Sequence, residues 1–136
     1  MALIVVRHIV RQPVGEVHRY LSALAASGGT MLVGVRLSDE VARAHPVLID
    51  ERSSSDRDGR AWWSAWNPRV GLPAGAGTLT ARACGDRETV LEFCGSYAGP
   101  GASGERPDAF AFRRANALAR AYLNALGENA GLTVAA

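Results

Sequence analysis

The chain has no lysine: all fifteen of its basic residues are arginine. Schiff-base chemistry and the lysine of a phosphate-binding loop are therefore excluded. Cysteine is nearly as scarce, with two residues in 136, so the domain must be held by its core, which a chain of this length can bury without staples. The three histidines, His8, His18 and His45, fall on separate predicted elements with no HxxxH or HxH spacing, and no metal site is expected. No stretch approaches the roughly 18 consecutive apolar residues of a membrane span. A net charge of only +2 leaves no electrostatic footprint for nucleic acid or an anionic membrane. The opening MALIVVRHIV lacks the basic start and long apolar run of a signal peptide, so it reads as a strand of a cytoplasmic protein. The run Gly71-Leu-Pro-Ala-Gly-Ala-Gly77 looks superficially like a phosphate loop but has neither the lysine nor a strand-to-helix context. It reads as a turn, and no cofactor is expected.

What the chain does have is a long amphipathic segment from Pro107 to Leu126. At about 100° per residue, Phe112, Ala115, Leu118, Ala119, Tyr122, Leu123 and Leu126 share one arc, while Arg113, Arg114, Arg120 and Asn124 lie opposite. Such a helix must lie on an apolar surface. Pro107 suits its first turn and Gly127 its C-cap, with residues 131 to 136 as a frayed tail.

The remaining order predicts strands and one short helix. Ala2 to Val10 is β-branched and apolar apart from Arg7 and His8. Pro13 opens a helix in which Val14, Val17, Leu21 and Leu24 recur on one face, with Glu16 in the first turn and His18 off the apolar arc, in solvent. Ser27-Gly28-Gly29 stops it. Met31 to Leu37 reads as a short strand, and Ser38 to Ala44 as either an extended link or a helical turn. His45 to Arg52 and Arg60 to Asn67 form a hairpin around the polar tip 53–59, and 67–75 is a longer turn. Gly77 to Cys84 and Glu88 to Tyr97 form a second hairpin. Placing Leu79, Ala81 and Ala83 on one face with Leu91, Phe93 and Gly95 sets Ala81 opposite Leu91 and requires a three-residue loop, Gly85-Asp86-Arg87. That register separates Cys84 and Cys94 by about 20 Å, so both are free thiols. Helices segregated from antiparallel strands indicate an α+β fold, one domain over residues 1–136.

Four features carry a family likeness. They are the opening strand running into Pro13 and its helix, the tryptophan strand Arg60-Ala-Trp-Trp-Ser-Ala-Trp66, the strand end Phe93-Cys-Gly-Ser-Tyr97 followed by Ala98-Gly-Pro-Gly101, and the long last helix. In these the chain resembles the helix-grip superfamily of polyketide cyclases, START lipid-transfer domains and Bet v 1-like proteins, in particular its small bacterial members. The resemblance implies a curved antiparallel sheet wrapped around the C-terminal helix, enclosing a cavity for an apolar ligand.

Strand alternation and the helical arc nominate the lining of such a cavity: Leu79, Ala81, Leu91, Phe93 and Tyr97 from the second hairpin, and Trp62 or Trp63 from the tryptophan strand. Phe112, Ala115, Ala119 and Tyr122 join them from the helix. The same residues equally describe a filled core. For catalysis the candidates are His8, which alternates with Ile4, Val6 and Val10, with Tyr97, Glu92 or Arg7 beside it. Three functions remain open. One is binding or transport of a small apolar molecule; another is a cyclase or dehydratase acting on a bound ketone. The third is a filled-core domain acting through its surface, as a homodimer. Trp62 and Trp66 project from one face of their strand and Trp63 from the other, so tryptophan is expected on the outside of the sheet.

Overall fold

The structure is a computed structural model and describes residues 2–27, 29–35, 43–53, 60–66, 74–98 and 109–135. Its elements run β1 (Ala2–Val10), α1 (Val14–Ala26), β2 (Thr30–Val35), β3 (Arg43–Ser53), β4 (Arg60–Trp66), β5 (Ala74–Gly85), β6 (Glu88–Ala98) and α2 (Ala109–Ala135). All pairings are antiparallel, in the order β1-β6-β5-β4-β3-β2. The fold is α+β: a curled half-barrel whose concave face holds α2, which touches both edge strands, β1 and β2, and also α1.

Alternation decides which side chains meet the helix. On β1, Ile4, Val6 and Val10 are buried, while Leu3, Val5, Arg7 and Ile9 face outward. The concave face continues through Leu91 and Phe93 on β6, Leu79 and Ala81 on β5, Trp62 and Trp66 on β4, and Val47 and Ile49 on β3. Opposite them, Ala115, Leu118, Ala119, Tyr122, Leu123 and Leu126 of α2 are at most 1% exposed, as the arc predicts. Phe112 departs from it. It is 42% exposed at the open end of the helix, with its ring centroid 6.3 Å from that of Tyr97.

Glycine sets two close approaches. Gly29 has φ +68° and ends α1, donating its N–H to Leu24 O at 3.1 Å and accepting from Ile49 N at 2.5 Å, so that helix exit and β3 are joined in one residue. Gly77 and Gly95 are cross-strand partners, and a Cβ on Gly95 would meet Ala76 O and, at 2.8 Å, Gly77 Cα. β5 and β6 can lie this close because neither position carries a side chain.

Several expectations are corrected. The second hairpin has the predicted register, Leu79 with Phe93 and Ala81 with Leu91, but closes through a two-residue turn, Asp86-Arg87. A register shift between Ala83 and Gly85 absorbs the extra residue, Cys84, as a bulge, and it leaves Ala83 exposed. Helix α2 runs through Gly127 and on to Ala135, so Gly127 is no cap and 131–135 is no frayed tail. Its Cβ-less surface sits against Val10 and His8, where tight packing with β1 outweighs the weak propensity of glycine. Pro107, the hairpin tip 54–59 and the link 36–42 lie outside the described residues.

Candidate functional site

The tryptophan strand carries the polar part of the interior. Alternation on β4 sends Trp62, Ser64 and Trp66 inward, and all three are buried. Ser64 Oγ lies 2.7 Å from Tyr122 Oη of α2, and both residues are 0% exposed. Burial pushes the Tyr122 phenol well above its ordinary value of 10.0, against a smaller lowering by the Ser64 hydrogen bond, so it is a neutral donor and acceptor rather than a base. Behind it, the Tyr20 hydroxyl of α1 is likewise raised by burial and bonded to Asn129 of α2.

Trp62 is also 0% exposed, and its indole Nε1–H has no hydrogen-bond partner among the described residues. Its ring meets His18, with centroids 5.5 Å apart. His18 Nε2 in turn lies 2.8 Å from Ala81 O. His18 is therefore half-buried and held against the sheet, rather than in solvent as its place on the helix suggested. It spans from α1 to β5 just beyond the last described β4–β5 pair, Ala61 with Thr80. A second clasp, Thr89 Oγ1 donating to Gln12 O at 2.7 Å, fixes the β1–α1 connection onto β6.

The nominated lining residues mostly converge. Trp62, Leu79, Phe93, Ala115, Ala119 and Tyr122 are 0% exposed, Leu91 and Tyr97 1%, and Ala81 3%, all on the helix-facing side. Their side chains leave almost no surface to water, so among the described residues this layer is closely packed. Trp66 adds to the layer against Phe93, their centroids 5.3 Å apart. Trp63 points to the other face of the sheet and Phe112 lies at the exposed rim, so neither belongs to the enclosed lining.

The nominated acid–base residues do not meet. Arg7 is on the outer face, where its Nε contacts Glu92 Oε2 at 2.5 Å across the β1–β6 pair. His8 faces inward but against Gly127 of α2. Tyr97 pairs with Ala2, six positions along β1 from His8, which at strand rise is about 20 Å. Among the described residues no group of three or more His, Cys, Asp or Glu could hold a metal ion, and no helix is long and apolar enough to cross a membrane. Cys84 and Cys94 are free and exposed. Two grooves formed by described residues, of about 370 and 300 Å³, lie on the outer face around Arg7, Ile9, Arg82 and Val90 and around Pro46, Leu48 and Ala65.

Sequence reasoning missed Ser64, His18 and Tyr20. The signal for Ser64 was present: it alternates with Trp62 and Trp66, which makes it a polar residue at an inward position. The orphan Trp62 N–H and the His18 clasp depend on how α1 crosses the sheet, which periodicity does not encode.

No family model and no curated protein matches the sequence. Among solved structures the chain is similar to the di-domain ARO/CYC BexL from the BE-7585A biosynthetic pathway, at 16% identity and a TM-score of 0.61 over 98% of this chain. It is also similar to the di-domain ARO/CYC StfQ from the steffimycin biosynthetic pathway, at 17% identity and a TM-score of 0.49 over 93% of this chain. The chain spans about half the length of these proteins, 48% and 45%. The likeness to BexL shows the fold: a helix-grip domain.

Proposed function

We propose that this helix-grip domain binds a small, largely apolar molecule carrying an oxygen acceptor, between the concave sheet and α2. The observation that carries the reading is the N–H of Trp62, enclosed at 0% exposure and without a partner among the described residues. A buried donor with no acceptor costs about 1–3 kcal/mol, and phenylalanine would fill a plain core without that cost. A carbonyl or phenol oxygen brought to this N–H would satisfy it. The Tyr122 hydroxyl, kept protonated by burial and held at Ser64, two positions along β4 from Trp62, is free to donate to the same class of oxygen when Ser64 donates to it. Leu79, Phe93, Ala115 and Ala119 offer apolar faces for the rest of the molecule, with α2 shifting to admit it.

The test is native mass spectrometry of freshly purified protein, followed by denaturing extraction. The expected result is an added mass on the order of a few hundred daltons, released on denaturation and lost in Trp62→Phe. A bare chain mass, unchanged after incubation with a hydroxylated anthraquinone, would contradict it.

A second reading, a cyclase of the ARO/CYC kind, is favoured by the fold shared with BexL and by the neutral character of Tyr122. In it the Trp62 and Tyr122 donors polarise a ketone while a ring closes. Product analysis separates the two: a cyclase returns a cyclised product from a poly-β-ketone thioester, whereas a carrier returns the molecule unchanged.

A further inference from the structure

The outer face of the sheet is polar at its centre and apolar at one edge. Along β5 and β6 the outward positions include Thr78, Thr80, Arg82, Glu92, Cys94 and Ser96, with Val90 opposite Arg82 at one end. On β1 they are Leu3, Val5, Arg7 and Ile9, and the three aliphatic side chains are 76%, 54% and 60% exposed. This inverts the usual protection of a sheet edge, where charge, proline or a bulge discourages pairing. β1 pairs with β6 alone. Alternate N–H and C=O groups of an antiparallel strand point away from its neighbour, and among the described residues no main-chain group other than those of β6 bonds to β1.

We propose that β1 is a dimerisation edge, and that its occupant is β1 of a second copy of this chain, antiparallel about a two-fold axis at Val6. That register sets Leu3 against Ile9 of the second copy and Val5 against Arg7, so the outer rows merge into one strip of six aliphatic side chains. Each Arg7 keeps Glu92 on the adjacent strand as its counter-ion. The two-fold relation makes the contact self-complementary and closed, giving a dimer rather than a filament. The opposite edge fits less well: β2 is six residues long, contains Gly34, and offers Leu32, at 69% exposure, as its strongly exposed aliphatic. Edge pairing covers only the flanks of these six side chains, whose ends still face solvent. The contact rests on them together with a ladder roughly 30 Å long and falls below the about 1,200 Å² of a stable interface, in the range of weak association. The dimer is therefore reversible, with dissociation in roughly the micromolar range.

Sedimentation velocity from about 1 to 200 µM, under reducing conditions that prevent Cys84 and Cys94 from cross-linking copies, tests this with wild type, Leu3→Asp, Ile9→Glu and Leu32→Asp. The expected result is a concentration-dependent dimer in wild type and Leu32→Asp, weakened at least about tenfold in Leu3→Asp and Ile9→Glu, each of which sets a carboxylate against an aliphatic side chain of the second copy, with circular dichroism showing each variant folded. Ile9→Glu decides the matter alone should Leu3→Asp unfold. A wild type monomeric throughout, or a dimer that survives both β1 variants, overturns the proposal.

Discussion

The hydroxyls of Ser64 and Tyr122 lie 2.7 Å apart with no exposed surface, so each is the other's replacement for water. Ser64→Ala leaves the phenol buried and unmatched, and denaturant unfolding is expected to show a loss of about 1–3 kcal/mol. The double variant Ser64→Ala, Tyr122→Phe is expected to lose less than the sum of the singles, because it removes both members of the bond. An additive result would mean that the two hydroxyls do not depend on each other. The same phenol sets an alkaline limit. Its folded-state pKa is raised above the ordinary 10.0, so its contribution is complete below pH 10 and is lost as the pH rises from there, the unfolded chain releasing a proton that the folded chain keeps. Tyr20 is raised in the same direction. Thermal unfolding between pH 9 and 11 is expected to show a falling Tm, with a shallower fall in Tyr122→Phe. An identical slope in the variant would contradict the assignment to Tyr122.

At the scale of elements, the pinch at Gly77 and Gly95 brings β5 and β6 close. Gly95→Ala drives a methyl into Ala76 O and the Gly77 backbone, and backbone yields less readily than a side chain. A cost of about 1–3 kcal/mol is expected in equilibrium unfolding, whereas Gly34→Ala, where a Cβ meets nothing within 4 Å, is expected to change stability little. Equal costs at the two positions would refute the pinch. The elements themselves were largely legible in the sequence. β1 and the buried arc of α2 follow from periodicity, and the β5–β6 register follows from the demand that Leu79, Ala81, Leu91 and Phe93 share a face. What failed were the ends. Gly127 reads as a stop, yet tertiary packing against Val10 and His8 carries the helix onward. The bulge at Cys84 takes up a residue that alternation alone assigns to the loop.

For the whole molecule, the curled sheet brings both of its edge strands against one helix. The sequence disclosed this fold through its resemblance to helix-grip proteins and its aromatic inward positions. It did not disclose the polar set inside, because the partners of Trp62, Ser64 and Tyr122 are fixed by the crossing of α1 and α2 over β4, at sequence separations that no local pattern reports. It nominated Arg7, and Trp63 as the alternative to Trp62, both of which alternation places on the outer face once the inward rows of β1 and β4 are fixed. The central claim is that the enclosed Trp62 N–H receives an oxygen of a bound apolar molecule. The measurement that tests it most directly is a ¹⁵N–¹H spectrum of the three indole groups, assigned with Trp62→Phe, during titration with a hydroxylated anthraquinone. A downfield shift of the Trp62 indole proton that saturates with ligand, while Trp63 on the outer face stays still, is the predicted result. A shift confined to Trp63, or none at saturation, would contradict the account.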